Sequence, residues 1–173
     1  IVSALYEREQ TGEGAVIDIS MQDCVFPALA TQLGTYFQLG HQPARTGNRH
    51  SGMALAPYNV YEARDGHVAM ICFRGEHWLR LCDAMGRPEL KVDKRFARTK
   101  DRARNMAEVD TLVEQWTRTL SKAEIFVIAQ NAGMICAPVQ TLDEVVNDPQ
   151  LLARGTLAWE EDQAGQRSLK FHT

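Results

Sequence analysis

The 173-residue chain has no apolar run near the roughly 20 residues that a helical membrane span needs. It has no excess of basic residues, since 19 Lys and Arg stand against 22 Asp and Glu for a formal net charge of −3. A general nucleic-acid binder is usually basic overall, so neither nucleic acid nor a membrane is an expected partner. The start, Ile1-Val2-Ser3-Ala4-Leu5-Tyr6, lacks the basic stretch and apolar core of a secretory signal. It reads as the middle of a helix, and the expectation is a chain that begins inside a larger, cytoplasmic protein. A P-loop, a dinucleotide-binding fingerprint, HExxH and GxSxG are all missing, so the common local signatures name no reaction. Cys24, Cys72, Cys82 and Cys136 form no CxxC pair and sit among apolar neighbours, which favours buried free thiols over a metal site or a disulfide framework. The five histidines make no metal-ligand pair. Of these, His67 beside a turn and His77 near a helix start read as surface residues.

What is present suits a globular chain: 45% hydrophobic and 24% charged residues, enough for one domain or for a small domain with parts of a neighbour. Residues 1 to 10 read as a helix that ends at Thr11-Gly12-Glu13-Gly14, where glycine supplies the exit. Val16 to Ile19 reads as a strand, and Met21 to Phe37 as a largely apolar helix. Residues 38 to 56, rich in Gly, Pro, Arg and His, have no apolar periodicity and read as a long linker or loop.

Beyond Pro57, Tyr58–Arg64 and His67–Phe73 are β-rich runs joined by Asp65-Gly66, a hairpin signal. The second run is apolar on both faces and predicts a central, doubly covered strand. Trp78, Leu81, Cys82 and Met85 fall at helical spacing, with Gly86 as the stop. Asn105 precedes a helix with Met106, Val109, Leu112, Val113 and Trp116 along one side. Ser121 with Glu124 and Thr141 with Glu144 fit capping boxes, and Asp148-Pro149 fits a cap followed by proline at the first helical position. Thr156–Glu161 and Gln166–Phe171 around Ala164-Gly165 read as a second hairpin. Strands mixed with helices without regular βαβ units predict an α+β fold.

Three stretches hold polar groups that chemistry could use. In Arg45-Thr46-Gly47-Asn48-Arg49-His50-Ser51-Gly52, two glycines flank a concentration of hydrogen-bonding side chains. It is either a polar linker whose glycines serve turns or a loop that faces a ligand. The basic run from Lys91 to Arg104 reads as a solvated surface with local ion pairs, the alternative being a site for a phosphorylated ligand or nucleic acid. Asp18 and Asp23 flank a strand-to-helix turn, where a carboxylate more often caps than attacks.

Several phrases in the chain, taken in order, resemble one family. Ala4 to Gly14 followed by Val16-Ile17-Asp18-Ile19-Ser20-Met21 is similar to the helix, turn and strand of family III CoA-transferases. Arg45 to His50 followed by Ala56-Pro57-Tyr58 resembles that family's loop before its small domain. Asp93-Lys94-Arg95-Phe96 with Arg102 and Asn105, Ala132 to Val139, Asp148-Pro149-Gln150 and Ala153-Arg154-Gly155 complete the series. The resemblance spans nearly the whole chain and is specific for the superfamily, which includes the α-methylacyl-CoA racemases.

That resemblance implies an acyl-CoA:carboxylate CoA-transferase. In such enzymes an aspartate attacks the acyl-CoA thioester to give an anhydride and release the CoA thiolate. The thiolate then forms an enzyme–CoA thioester, and the acceptor acid takes the CoA. It implies that the nucleophilic aspartate and most CoA contacts lie upstream of Ile1, so this chain has no catalytic residue of its own and is inactive alone. The CoA thioester is a substrate, and no cofactor or metal is implied. The partners are acyl-CoA, a carboxylic acid and a second copy of the chain in an interlocked homodimer. Residues 1–37 are expected to close a large α/β domain as helix, strand and helix, 38–56 to form the linker and glycine-containing loop, 57–155 the small α+β domain, and 156–173 an exit hairpin. Gly47, Asn48, Arg49, His50, Ser51 and Gly52 are the expected substrate loop, shielding intermediates from water. A racemase-type isomerase of the same fold and a non-catalytic association or ligand-binding domain remain the alternatives.

Overall fold

In the computed structural model, residues 1–161 and 163–171 are described. Positions 162, 172 and 173 of the expected exit segment fall outside this set. The chain divides into two compact units, Ile1–Gly47 and Asn48–Thr173.

The first unit holds α1 (Val2–Thr11), α2 (Met21–Val25) and α3 (Ala30–Leu39). Gly12 ends α1 with φ 76°, in the left-handed region, and its N–H closes onto the Arg8 carbonyl. The single helix expected over 21–37 is divided by a 3₁₀ turn at Phe26–Leu29, with Pro27 at its start. Proline has no N–H to give to the carbonyl four residues back and crowds it. The expected strand at Val16–Ile19 does not form: this unit contains no strand, so those residues have no ladder to join. Ser20, not Asp18 or Asp23, caps α2: its hydroxyl accepts from the Asp23 N–H at 3.3 Å. No residue of this unit is buried, and Val16, Met21 and Phe37 are among its exposed apolar side chains.

The second unit is built on an antiparallel sheet in the order β1 (Tyr58–Ala63), β2 (Gly66–Ile71), β3 (Ile135–Pro138). Between β2 and β3 the chain inserts α4 (Gly75–Ala84), a 3₁₀ turn (Pro88–Lys91), α5 (Thr99–Arg104), α6 (Met106–Thr117) and α7 (Lys122–Ala132). The hairpin forms, but Ala63 pairs with Gly66, so its tip is Arg64-Asp65 rather than Asp65-Gly66. Gly66 is required in the strand itself. Its φ is +148°, and a Cβ there would lie 3.0 Å from Cδ of Lys122. Asp65 instead accepts the Lys122 N–H at 2.7 Å, tying the hairpin tip to the start of α7.

One face of the sheet, with Tyr61, Val68, Met70, Cys72 and Cys136, packs on Trp78, Leu81, Val109, Val113 and Ile125 from the helices. Each large side chain buried here contributes roughly 1.5–3 kcal/mol. The other face is apolar too but not covered as expected: Ala69 and Ile71 are half-buried, and Phe73, Ile135 and Val139 are exposed. An apolar run on both faces of a strand therefore predicted its central place but not a second covering layer.

The capping signals act as the sequence implies. Ser121 and Glu124 form a reciprocal box at α7, and Thr141 and Glu144 form one at α8 (Leu142–Val146). Asp148 accepts from the N–H groups of Gln150 and Leu151 at the start of α9 (Pro149–Ala153). A second hairpin, β4 (Leu157–Glu161) with β5 (Arg167–Phe171), follows. The fold is mixed α and β, with the helices carried on one face of an antiparallel sheet.

Candidate functional site

Of the six loop residues, Gly47 ends the first unit, with φ +64°, and Asn48 to Gly52 open the second. The loop cannot rely on apolar burial, since Asn48, His50 and Gly52 are exposed. Polar contacts hold it instead. Arg49 Nε donates to Asp110 Oδ2 at 2.6 Å, and the Tyr61 hydroxyl donates to the other oxygen, Oδ1, at 2.7 Å. Asp110 projects from α6 into the buried stripe formed by Met106, Val109 and Val113. Burial, and then the bond to Asp110, push the Tyr61 phenol far above its ordinary pKa, so it remains a donor across the accessible pH range.

The next loop residue is fixed through its ring. His50 stacks on Tyr58 with centroids 4.7 Å apart and planes 8° from parallel. Its Nδ1 accepts the Gly52 N–H at 3.1 Å, so neutral His50 carries its proton on Nε2. The His50 carbonyl accepts the N–H of Met53, which adopts a positive φ of 47°. A second anchor lies where the loop enters β1: buried Arg102 donates to the Ala56 carbonyl at 2.9 Å and to the Phe96 carbonyl at 2.8 Å. Of the loop side chains, Arg49 is thus turned into the unit as an anchor, while Asn48 and His50 stay exposed.

Asn48 also lies at the rim of a hollow of about 230 Å³ on the open face of the sheet, floored by Tyr58, Val60, Ala69, Ile71 and Ile135. The floor of the hollow is apolar. Its apolar lining suits an uncharged group.

The other candidates resolve differently. Lys91 pairs with Asp83, and Arg95 pairs with Asp93 at 2.7 Å and with Glu108, so that surface is laced with local ion pairs. Arg102 departs from the surface reading: it is wholly buried, lies over the Trp78 ring, and is held by carbonyl oxygens. Burial lowers its pKa. His77 is buried rather than superficial, because the third position of α4 sits against the unit, with Nδ1 3.5 Å from the Arg74 N–H. His67 is exposed. Cys72, Cys82 and Cys136 are buried, whereas Cys24 is exposed, because nothing in the first unit covers α2. Among the described residues no group of three or more His, Cys, Asp or Glu comes together to hold a metal ion, and no helix is long and apolar enough to cross a membrane.

A family model described as CoA-transferase family III matches residues 1–172. The chain belongs to CoA-transferase family III. It is 39% identical over 160 residues to an acetyl-CoA:oxalate CoA-transferase of Acetobacter aceti, covering 91% of this chain and 40% of that protein. It is 33% identical over 165 residues to a succinyl-CoA:mesaconate CoA-transferase of Haloarcula marismortui, with 95% and 40% covered. The fold resembles a CaiB/BaiF family protein from Brucella suis with a TM-score of 0.77 and 32% identity, over 97% of this chain and 43% of that one. The chain thus spans about two-fifths of the length of the curated relatives it matches.

In this family III chain the supports of the loop are what the sequence left unseen. Asp110 carried a faint signal. It lies four residues after Met106 and three before Val113, so an acidic side chain falls inside an apolar stripe and must find a partner there. Arg102 stood out only within the family resemblance; as a local signal it was one cation among seven between Lys91 and Arg104.

Proposed function

We propose that this chain is one part of an acyl-CoA:carboxylate CoA-transferase that acts through an aspartyl intermediate, with the nucleophilic aspartate outside these 173 residues. The observation that carries the proposal is the arrangement of the loop inside a family III chain: Arg49 ties it to Asp110 and leaves Asn48 and His50 exposed beside an apolar hollow. In this reading Asn48 to Gly52 face the thioester, with the His50 Nε2–H and the Asn48 amide as donors toward the acyl carbonyl. The loop shields anhydride and enzyme–thioester from water, which would otherwise hydrolyse both. Residues 57–155 form the small domain, residues 1–37 close a large one, and the working unit is a homodimer. The lack of any buried residue in the first unit supports this division, since so much exposed apolar surface asks for a covering body.

The test is CoA transfer from an acyl-CoA to a carboxylic acid, read by mass of the acyl-CoA products. It is run on the 173 residues alone and on the longer polypeptide they are proposed to belong to. Transfer is expected from the longer polypeptide only. Transfer by the chain alone would refute the external nucleophile, and none from either would refute the assignment.

A further inference from the structure

The pairing of Arg49 with Asp110 links two segments 61 residues apart, and the contact is short and half-buried. The two carboxylate oxygens of Asp110 have separate tasks. Oδ2 takes Arg49 from the loop, while Oδ1 takes the hydroxyl of Tyr61, which is itself rooted in the core on β1. Tyr61 therefore fixes the orientation of the carboxylate, and the carboxylate fixes the loop. Charge-assisted bonds of this length are about twice as strong as neutral ones, and a partly desolvated pair is screened less by salt. The pair of Arg64 with Glu124, by contrast, is exposed on both sides.

We infer that Asp110, oriented by Tyr61, is a positioning residue that sets the placement of Asn48 to Gly52 through Arg49. This rests on the assignment of that loop to the acyl-CoA site. Asp110 touches no reacting atom in this scheme; it acts by limiting where Asn48 and His50 can stand. A loop freed from it still binds acyl-CoA through contacts made elsewhere, but admits water to the intermediates and presents its donors out of place.

The variants are Asp110→Asn, Arg49→Gln, their combination, and Tyr61→Phe. Asparagine keeps an oxygen for the Tyr61 hydroxyl, so the core stays satisfied while the charge that holds Arg49 is lost. Amide hydrogen exchange on the 173-residue chain is the readout that needs no reaction. Asp110→Asn is expected to speed exchange at Asn48 to Met53 by about tenfold while β1, β2 and β3 keep their protection. Tyr61→Phe, which keeps the pair but frees the carboxylate, is expected to give a smaller rise. In the longer polypeptide, Asp110→Asn is expected to lower kcat about tenfold, raise the share of acyl-CoA lost to hydrolysis, and leave KM for acyl-CoA within about twofold. Arg49→Gln should do the same, and the double variant no more than either alone. Unchanged loop exchange overturns the inference. So does faster exchange with kcat and the hydrolysed share unmoved, or additive losses in the double variant. Absence of transfer from the unsubstituted longer polypeptide would sink the functional assignment instead, and the exchange data would still decide whether Asp110 holds the loop.

Discussion

The guanidinium of Arg102 donates to the carbonyl oxygen of Ala56 at 2.9 Å, across 46 residues of sequence, with no solvent exposure at the arginine. A second arm reaches the Phe96 carbonyl at 2.8 Å, and the plane lies over the Trp78 ring at 5.2 Å. One side chain thus closes the end of the candidate loop onto the helical insertion.

Replacing Arg102 with Met or Lys removes a planar fork that neither can imitate. Two buried carbonyls lose their donors, each at about 1–3 kcal/mol. The expected loss of stability is about 2–4 kcal/mol, read as a lower urea midpoint with unchanged slope. A midpoint within experimental scatter of the parent would contradict the buried role.

Thiol reactivity should divide the cysteines. Burial pushes the Cys72 and Cys82 thiols up to about 12 and Cys136 to about 11, and all three are buried, whereas Cys24 is exposed. Alkylation of the native 173-residue chain at pH 8 is expected to modify Cys24 first, with the other three reacting only as the unit unfolds. Peptide mapping showing early modification of Cys82 would contradict this packing.

The buried Lys122 ammonium donates to both oxygens of Glu144 at 2.8 Å and to the Val139 carbonyl at 3.2 Å. The bond from Lys122 and then the N–H of Thr141 hold the Glu144 carboxyl below its ordinary 4.5. A carboxyl that is more acidic folded than unfolded contributes stability above its unfolded pKa. That stability is lost as pH falls through the lower folded value. Glu144→Gln should therefore destabilise the chain at pH 7, and the gap from the parent should close as pH falls through the folded value. A gap independent of pH would show that the charge contributes nothing.

Limited proteolysis should separate the two units. With no buried residue between Ile1 and Gly47 and a continuous core beyond, cleavage is expected throughout the first unit and a resistant fragment beginning near Asn48. Equal resistance on both sides of Gly47 would contradict that contrast.

Local chemistry was legible and long-range pairing was not. Ser121 with Glu124, Thr141 with Glu144, and Asp148 before Pro149 could be read directly, because each helix start is satisfied by residues three or fewer positions away. The β1–β2 hairpin was visible too, and only its tip was misplaced by one residue, because Gly66 is demanded by Lys122 packing against it. Val16–Ile19 has the composition of a strand, but a strand exists only with a neighbour to bond. The loop residues stood out by composition, while what holds them did not. Asp110 lies 61 residues from Arg49 and Arg102 lies 46 from Ala56, so both anchors are products of the tertiary fold.

The most direct measurement is the rate of CoA transfer by the longer polypeptide with Asn48, Arg49 and His50 all replaced by alanine. If this loop faces the thioester, kcat falls by about tenfold or more, hydrolysis takes a larger share of the acyl-CoA consumed, and the fold persists. Turnover equal to that of the unsubstituted protein, at the same ratio of transfer to hydrolysis, would contradict the assignment of this loop to the reaction.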